Sequence, residues 1–195
     1  MPRPPKTPML GLFMTQRGQS LVEFALSSVV LLLLVGGLVD IGRAIYITEA
    51  LSNAAREGAR HGVWYQASNR SHPYLKDSEI QSVVDAELAA VSIPHSVLKN
   101  ASGTTCPTSS DGNGYHNPPY ANSAYPTNVN EPWLYICYNN TPGLDFPSSA
   151  ATNQGGLDLN VIVLYSYGPL TPLITAQFGT FRLAQITHMT VQGSG

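Results

Sequence analysis

The chain has 195 residues, a length that allows one compact domain or one domain with an anchor. Only 11% of its residues are charged and its formal net charge is −2, so no basic surface for nucleic acid is indicated. The charge is also uneven, because residues 100–195 hold only Asp111, Glu131, Asp145, Asp158 and Arg182. This part of the chain is polar mainly through Asn, Ser, Thr and Tyr. Such a composition favours an extracellular or assembled protein over a cytosolic enzyme.

The first 16 residues are rich in proline and carry only positive charge. Proline at this density prevents a helix, so we expect a short irregular tail. Arg3 and Lys6 lie in it, Arg17 follows, and no acidic residue occurs before Glu23, at the edge of the apolar run. Cations in this position predict that this end lies in the cytoplasm and that the C-terminal side lies outside.

An uncharged apolar run covers residues 24–39. It is slightly shorter than the roughly 20 residues that a helix needs to cross the hydrocarbon core of a bilayer. Adding residues 19–22 at one end and Ile41 at the other gives that length. Glu23 then lies near the inner interface and Asp40 near the outer one, so the pattern predicts a single-pass helix.

Three interpretations of this run compete. A cleaved secretory signal would have a small-residue site after the apolar core, but Gly36-Gly37 lacks the Ala-x-Ala pattern and the helical pattern continues. A plain anchor explains the run but leaves Glu23 compensated only by the helix dipole. A prepilin-type signal is cut before the run. Cleavage after Gly18 would free the amine of Gln19, with which Glu23 of a neighbouring subunit pairs.

The residues around Gly18 carry a family resemblance. Residues 18–24, Gly-Gln-Ser-Leu-Val-Glu-Phe, resemble a type IV prepilin site of the Flp class. Residues 17–62 resemble the TadE-like family of pseudopilins of the tight-adherence (Tad/Flp) pilus system, through residues 22–26, the leucine run, residues 40–44 and residues 53–60. Phe24 stands where major Flp pilins carry Tyr, and Ser28 where many relatives carry Pro. The first departure and the length argue against the major pilin.

The resemblance implies a minor pseudopilin that takes part in assembly or initiation of a Tad/Flp pilus for adhesion or secretion. It implies a leader over residues 1–18, a processing site at Gly18 and Gln19, and pairing with the N-terminal amine at Glu23 and Phe24. The implied partners are a prepilin peptidase, other pilins or pseudopilins, the inner-membrane pilus platform and membrane lipid. The implied location is the inner membrane, with possible incorporation into the pilus, and neither enzymatic activity nor a cofactor is expected. The alternatives are a bitopic receptor or binding protein and a secreted hydrolase.

Beyond the membrane the helix is predicted to continue to residue 65, giving a transmembrane and stalk helix over residues 19–65 that is about 70 Å long. An apolar stripe follows helical spacing, and it suits burial against the protein's own sheet or against another pilin helix. Its members are Ile41, Ala44, Ile45, Thr48, Leu51, Ala55, Ala59 and Gly62.

A second helix is predicted from Asp77 or Ser78, as the cap, to about Ile93. We expect its acidic residues, Asp77, Glu79, Asp85 and Glu87, to face solvent. Residues 133–138, 157–167 and 181–191 read as strands, with a further strand over residues 97–105. Proline-rich loops cover residues 107–132 and 141–156. The predicted fold is α+β and pilin-like, with helices on one face of a small antiparallel sheet in an extracytoplasmic domain over residues 66–195.

Cys106 and Cys137 both fall on the predicted outer side, where disulfides persist. Joining them would close a loop of about 30 residues and contribute roughly 3–4 kcal/mol. The alternative is two separate buried thiols.

No metal site is expected from the sequence. The five histidines, His61, His72, His95, His116 and His188, share no helical-turn spacing with each other or with a cysteine. The turn at Asp111 begins like a calcium loop but lacks the later ligands. Glycosylation patterns at Asn69, Asn100 and Asn139 are incidental in a bacterium, which the resemblance implies.

Overall fold

The computed structural model describes residues 16–68, 70–100, 106–107, 118–138, 141–142 and 156–191. Its helices are α1 (Gln16–Gly62), α2 (Asp77–Ala90) and α3 (Pro172–Phe178), and a 3-10 turn covers Asn122–Ala124. Its strands are β1 (Val97–Leu98), β2 (Pro132–Tyr138), β3 (Thr141–Pro142), β4 (Asp158–Tyr167) and β5 (Phe181–Thr190). The predicted α+β class, with a long N-terminal helix and a second helix beside a sheet, is confirmed.

Helix α1 has 47 residues and is therefore about 70 Å long. It begins at Gln16, before the predicted start, and ends at Gly62. Its second half packs on α2, which runs antiparallel to it, and on the sheet. A Cβ atom at Gly58 would lie 2.6 Å from Val84 Cγ2, and one at Gly62 would lie 2.8 Å from Ile80 Cδ1. Glycine at these two positions therefore allows the two helices to approach closely.

The buried stripe of α1 differs from the predicted one at its N-terminal end. Leu51, Ala55 and Ala59 are fully buried as expected. Ile41 and Ile45 are instead 60% and 59% exposed, because the sheet and α2 cover the neighbouring side of the helix. That side carries Ile47, Ala50, Leu51, Ala54, Ala55 and Ala59.

The sheet has the order β1-β2-β4-β5, and β3 also pairs with β2. The β2–β4 and β4–β5 pairs are antiparallel, with Leu134 opposite Val163 and Ile162 opposite Ile186. β1 pairs with β2 in parallel, through Val97 opposite Trp133. The sheet is thus mixed rather than purely antiparallel. The long connection over residues 99–131 gives the chain enough length to return for a parallel pair.

The two faces of the sheet have different covers. The helix-facing side carries Leu134, Ile136, Tyr138, Leu159, Val161, Val163, Tyr165 and Tyr167. The other side carries Tyr135, Cys137, Ile162 and Leu164, and is covered by residues 106 and 120–125. The described part of the chain outside α1, which we call the head, is therefore a helix layer, a sheet and a loop layer.

Helix α3 was not predicted. Pro172 lies at its N-terminal end, where the missing N–H of proline removes no hydrogen bond, so two nearby prolines are compatible with a short helix. Of the proposed strand over residues 97–105, only Val97–Leu98 is a strand, and residues 101–105 lie outside the described residues. The turn at Asp111, His116, Asn69 and Asn139 lie outside them as well, as do residues 108–117 of the first predicted loop and residues 143–155 of the second.

Two of the acidic side chains of α2 do not face solvent. Asp77 is 6% exposed, lies in the first turn rather than capping it, and accepts a hydrogen bond from the Tyr138 hydroxyl at 2.9 Å. Asp85 accepts hydrogen bonds from the backbone N–H and the hydroxyl of Ser96, at 2.7 and 2.6 Å. These carboxylates join α2 to β2 and to the segment before β1, so the prediction of a solvated acidic face was wrong for both.

Candidate functional site

The first half of α1 is apolar and uncovered. Leu21, Phe24, Leu32 and Leu38 are 70%, 71%, 70% and 72% exposed, and the apolar window of the helix is only 6% buried. Among the described residues, α1 is the one helix long and apolar enough to cross a membrane. Such a helix is compatible with a single-pass anchor.

The residues predicted to form the processing and pairing site lie on the first turns of α1. The Gln19 side-chain amide donates a hydrogen bond to Glu23 Oε1 at 3.0 Å, one helical turn away. A Cβ atom at Gly18 would meet no other atom within 4 Å. Packing therefore gives no reason for glycine at position 18. Phe24 follows Glu23 and projects from the helix.

Asp40 ends the uncovered half of α1 and lies almost fully buried, with 4% of its surface exposed. Its two carboxylate oxygens accept the backbone N–H groups of Leu170, at 2.7 Å, and Thr171, at 3.0 Å. The Tyr167 hydroxyl donates to the Asp40 backbone oxygen at 3.0 Å. A carboxylate with charge-assisted hydrogen bonds of this kind is stabilised where an isolated buried one would be costly.

Arg43 extends this cluster on the next turn of α1. Its guanidinium donates to the Gly168 carbonyl oxygen at 3.3 Å and lies 5.4 Å from the centre of the Tyr167 ring. Burial, and then the negative charge of Asp40, raise the pKa of the Tyr167 phenol, so its hydroxyl remains a donor at neutral pH. We call Asp40, Arg43, Tyr167, Leu170 and Thr171 the Asp40 junction, because they fasten the uncovered half of α1 to the head.

The connection between β4 and β5 reaches past Asp40 along α1. We call this connection, together with Phe181 at the start of β5, the corner (residues 168–181). A Cβ atom at Gly36 would lie 3.0 Å from Thr171 Oγ1, and one at Gly37 would lie 3.8 Å from Ile174 Cδ1. Gly36 and Gly37 belong to the apolar run itself. The corner thus packs against the last turn of the predicted membrane segment.

The sequence analysis placed Asp40 at the outer interface but did not identify its partners. The available signal was a single carboxylate that directly ends a long uncharged run. Such a residue needs hydrogen-bond donors nearby, and the C-terminal segment Gly-Pro-Leu-Thr supplies two backbone N–H groups that are close only in the folded chain.

The structure joins Cys106 and Cys137 in a disulfide, with their Cα atoms 6.1 Å apart. Beside it, the buried side chain of Asn100 donates to the Ile136 carbonyl oxygen and accepts from the Ile136 N–H at 3.0 Å. The Asn100 side chain thereby replaces a strand residue at the edge of β2. These contacts hold the loop layer against the sheet.

Tyr135 adds a further attachment between the loop layer and β2. Its hydroxyl donates to the Ala124 carbonyl oxygen at 2.9 Å. Burial raises the pKa of Tyr135 to about 12 and also raises the pKa of Tyr120. Both phenols therefore stay neutral in the folded head at ordinary pH.

Two of the described histidines lie beside a carboxylate. His95 lies 3.5 Å from Asp85, which also binds Ser96, and His188 lies 3.3 Å from Asp158, which also binds Thr190. Within the described ranges, no three His, Cys, Asp or Glu side chains are grouped so that they could hold a metal ion.

Comparison with known proteins gives one family. The family model described as TadE-like protein matches residues 18–60. This stretch includes Gly18, Gln19, Glu23, the uncovered apolar half of α1 and the Asp40 side of the junction, whereas the head lies outside it. No curated protein and no solved structure matches the chain. The resemblance recognised in the sequence is therefore confirmed, and residues 18–60 are a TadE-like segment consistent with a component of a Tad pilus system.

Proposed function

We propose that this protein is a minor pseudopilin that takes part in assembly or initiation of a Tad/Flp-type pilus. The observation that carries the proposal is the TadE-like match, which begins at Gly18 and continues along a helix whose apolar surface is uncovered. Residues 1–18 are the cytoplasmic leader, residues 19–65 the membrane and stalk segment, whose helix ends at Gly62, and residues 66–195 the extracytoplasmic domain.

The proposed processing step is cleavage by a prepilin peptidase after Gly18. The peptide bond between Gly18 and Gln19 is hydrolysed, which leaves a free amine on Gln19 as the first residue. Glu23 is then the fifth residue of the mature chain, on the same helix face one turn later. The Gln19–Glu23 hydrogen bond supports this placement, since the two side chains meet on one face of the helix.

The proposed assembly step is pairing of Glu23 with the N-terminal amine of a neighbouring pseudopilin. An isolated carboxylate in a membrane is costly, and an amine on a neighbouring chain would offset both charges. Because Leu21, Phe24 and Leu32 are uncovered in the single chain, neighbouring pseudopilin helices have an apolar surface to pack against. Before assembly, lipid covers this apolar surface in place of the neighbouring helices.

The features of the head support an extracytoplasmic position. Disulfides persist in oxidising compartments, and the Cys106–Cys137 bridge holds the loop layer of the head. The Asp40 junction fixes the head to α1, so that any movement of the anchor helix would be transmitted to the head. The head is then placed to meet a partner pseudopilin or the inner-membrane platform.

The assembly step is tested by Glu23→Ala in the bacterium that makes the pilus, with Glu49→Ala as the matched control. Glu49 is an exposed carboxylate on the same helix, in its second half. We expect Glu23→Ala to be cleaved and to reach the membrane, but to reduce piliation and crosslinking to other pseudopilins, while Glu49→Ala behaves as wild type. Normal piliation with Glu23→Ala would contradict the pairing. A wild-type chain that crosslinks to no pilus component would favour a single bitopic binding protein.

A further inference from the structure

The corner exposes an unusual amount of apolar surface for a short connection. Leu170, Leu173, Phe178 and Phe181 are 63%, 51%, 71% and 42% exposed. Residues 168–181 contain no charged side chain. No residue of α3 is buried in the single chain, and its Leu173 and Phe178 side chains are exposed.

The position of the corner along α1 places this apolar surface beside the predicted membrane span. Leu170 and Thr171 are fastened at the level of Asp40. Thr171 and Ile174 also contact the helix at Gly36 and Gly37, which lie about 5 Å closer to the membrane centre at 1.5 Å per residue. The apolar surface of the corner is therefore continuous with the uncovered apolar surface of the predicted membrane span.

A groove of about 590 Å³ separates the corner from α1. Its walls are almost entirely apolar and include Ile41, Ile45, Ile174, Phe178 and Phe181. Ile41 and Ile45 are exposed because the head does not cover this side of α1. Asp40 borders the groove, but both of its carboxylate oxygens are already occupied by N–H groups. Arg182 borders it at the side of the head.

The backbone of the corner is suited to a medium without water. Lipid offers no hydrogen bonds, so polar backbone groups there must be satisfied within the protein. The N–H groups of Leu170 and Thr171 bind Asp40, and those of Thr175 and Gly179 bind carbonyl groups within the corner at 3.1 and 2.9 Å. Pro169 and Pro172 have no N–H group at all.

We propose that the corner is a second membrane-contacting element, which enters the outer leaflet beside α1 with a phospholipid acyl chain in the groove. The proposal rests on the membrane anchor of the proposed function. Lipid fits this site because the exposed surface is uncharged, has the N–H groups of Leu170, Thr171, Thr175 and Gly179 occupied, and adjoins the membrane span without interruption. The corner would hold the head close to the bilayer at a fixed orientation before assembly.

The test uses the full chain in nanodiscs made with phosphatidylcholine that is brominated on its acyl chains, since bromine quenches tryptophan fluorescence at short range. Phe178→Trp and Leu173→Trp report on the corner, and Leu32→Trp reports on the membrane span. Thr190→Trp, at the opposite end of β5, is the matched control. Unbrominated nanodiscs give the reference intensity, and the native Trp64 and Trp133 give the background of the wild-type chain.

We expect Phe178→Trp and Leu173→Trp to lose fluorescence to an extent comparable with Leu32→Trp, while Thr190→Trp matches the wild-type background. Quenching at Leu32→Trp without quenching at either corner position would overturn the proposal and leave the anchor intact. Absence of quenching at Leu32→Trp would instead overturn the anchor itself. Corner tryptophans that lipid does not quench, but that other pseudopilins shield from soluble acrylamide, would assign the surface to a protein partner and overturn the lipid assignment.

Discussion

The two halves of α1 form one continuous helix but are built for different surroundings. Residues 18–39 carry large apolar side chains, and almost all of them are uncovered. Residues 40–62 carry small side chains where the head packs, with Ala54, Ala55 and Ala59 fully buried. Large residues suit a helix that meets lipid or neighbouring helices, whereas small residues allow the backbones of α1 and α2 to approach each other.

This difference separates two kinds of effect. Changes in the second half of α1 or in the head are expected to alter the free energy of unfolding of the head. Changes in the first half should leave that free energy nearly unchanged and alter membrane contact and assembly. The Asp40 junction lies between the halves. Changes there should alter both the free energy of unfolding of the head and membrane contact.

The largest expected effect on the head is loss of the disulfide. The cysteines are 31 residues apart, and in the chain-entropy model a loop of this length contributes about 3–4 kcal/mol. The double variant Cys106→Ala/Cys137→Ala should lower the free energy of unfolding of the head by this amount. Urea titration in detergent micelles measures the change as a lower unfolding midpoint. Reduced wild-type protein serves as a second reference, and unfolding midpoints unchanged in both samples would contradict the assignment of this stability to the bridge.

The next effect is expected at the Asp40 junction. Asp40→Ala leaves the N–H groups of Leu170 and Thr171 without their acceptor, which should cost about 2–3 kcal/mol for buried donors that bind a charged group. Hydrogen exchange should accelerate mainly within the corner, residues 168–181. Glu49→Ala, which removes an exposed carboxylate from the same helix, should change neither quantity. Unchanged protection of the corner in Asp40→Ala would show that other contacts hold it.

A smaller effect is expected where α1 and α2 approach each other. The Cβ atom introduced by Gly58→Ala lies 2.6 Å from Val84 Cγ2, so Val84 must move, at a cost of about 1–3 kcal/mol for an overpacked core. Gly42→Ala is the matched control, because its Cβ atom meets nothing within 4 Å. It should be neutral or should stabilise the helix by up to about 1 kcal/mol. Thermal unfolding of both variants measures the difference, and equal melting temperatures would contradict the close approach.

The smallest effect on the stability of the head is expected from ionisation of the buried tyrosines, which occurs only at high pH. Burial raises the pKa of Tyr135 to about 12, whereas an unfolded tyrosine titrates near 10. The stabilisation is fully present below pH 10 and is lost as the pH rises from about 10 towards 12. Phenolate absorbance followed together with near-ultraviolet circular dichroism tests this. Complete ionisation of the tyrosines near pH 10 without loss of the folded signal would contradict it.

The sequence allowed the parts with local periodicity to be predicted. Enrichment in β-branched and aromatic residues gave the regions of β2, β4 and β5, and the absence of proline with helical spacing gave α1. It did not reveal the Asp40 junction, the structural roles of Asp77 and Asp85, or the parallel pairing of β1. These depend on contacts between segments far apart in the chain, such as Asp40 with Leu170, and no local pattern encodes them.

The central claim is that α1 enters the membrane as a processed pseudopilin helix, and the mature N-terminus tests it most directly. The protein is expressed with its prepilin peptidase, isolated from the membrane and analysed by mass spectrometry of its N-terminal peptide. Gly18→Leu provides the uncleaved control, because position 18 has no packing neighbour within 4 Å of its Cβ position. The account predicts that the wild-type chain begins at Gln19. A chain that still begins at Met1, or that begins after Gly37, would contradict it.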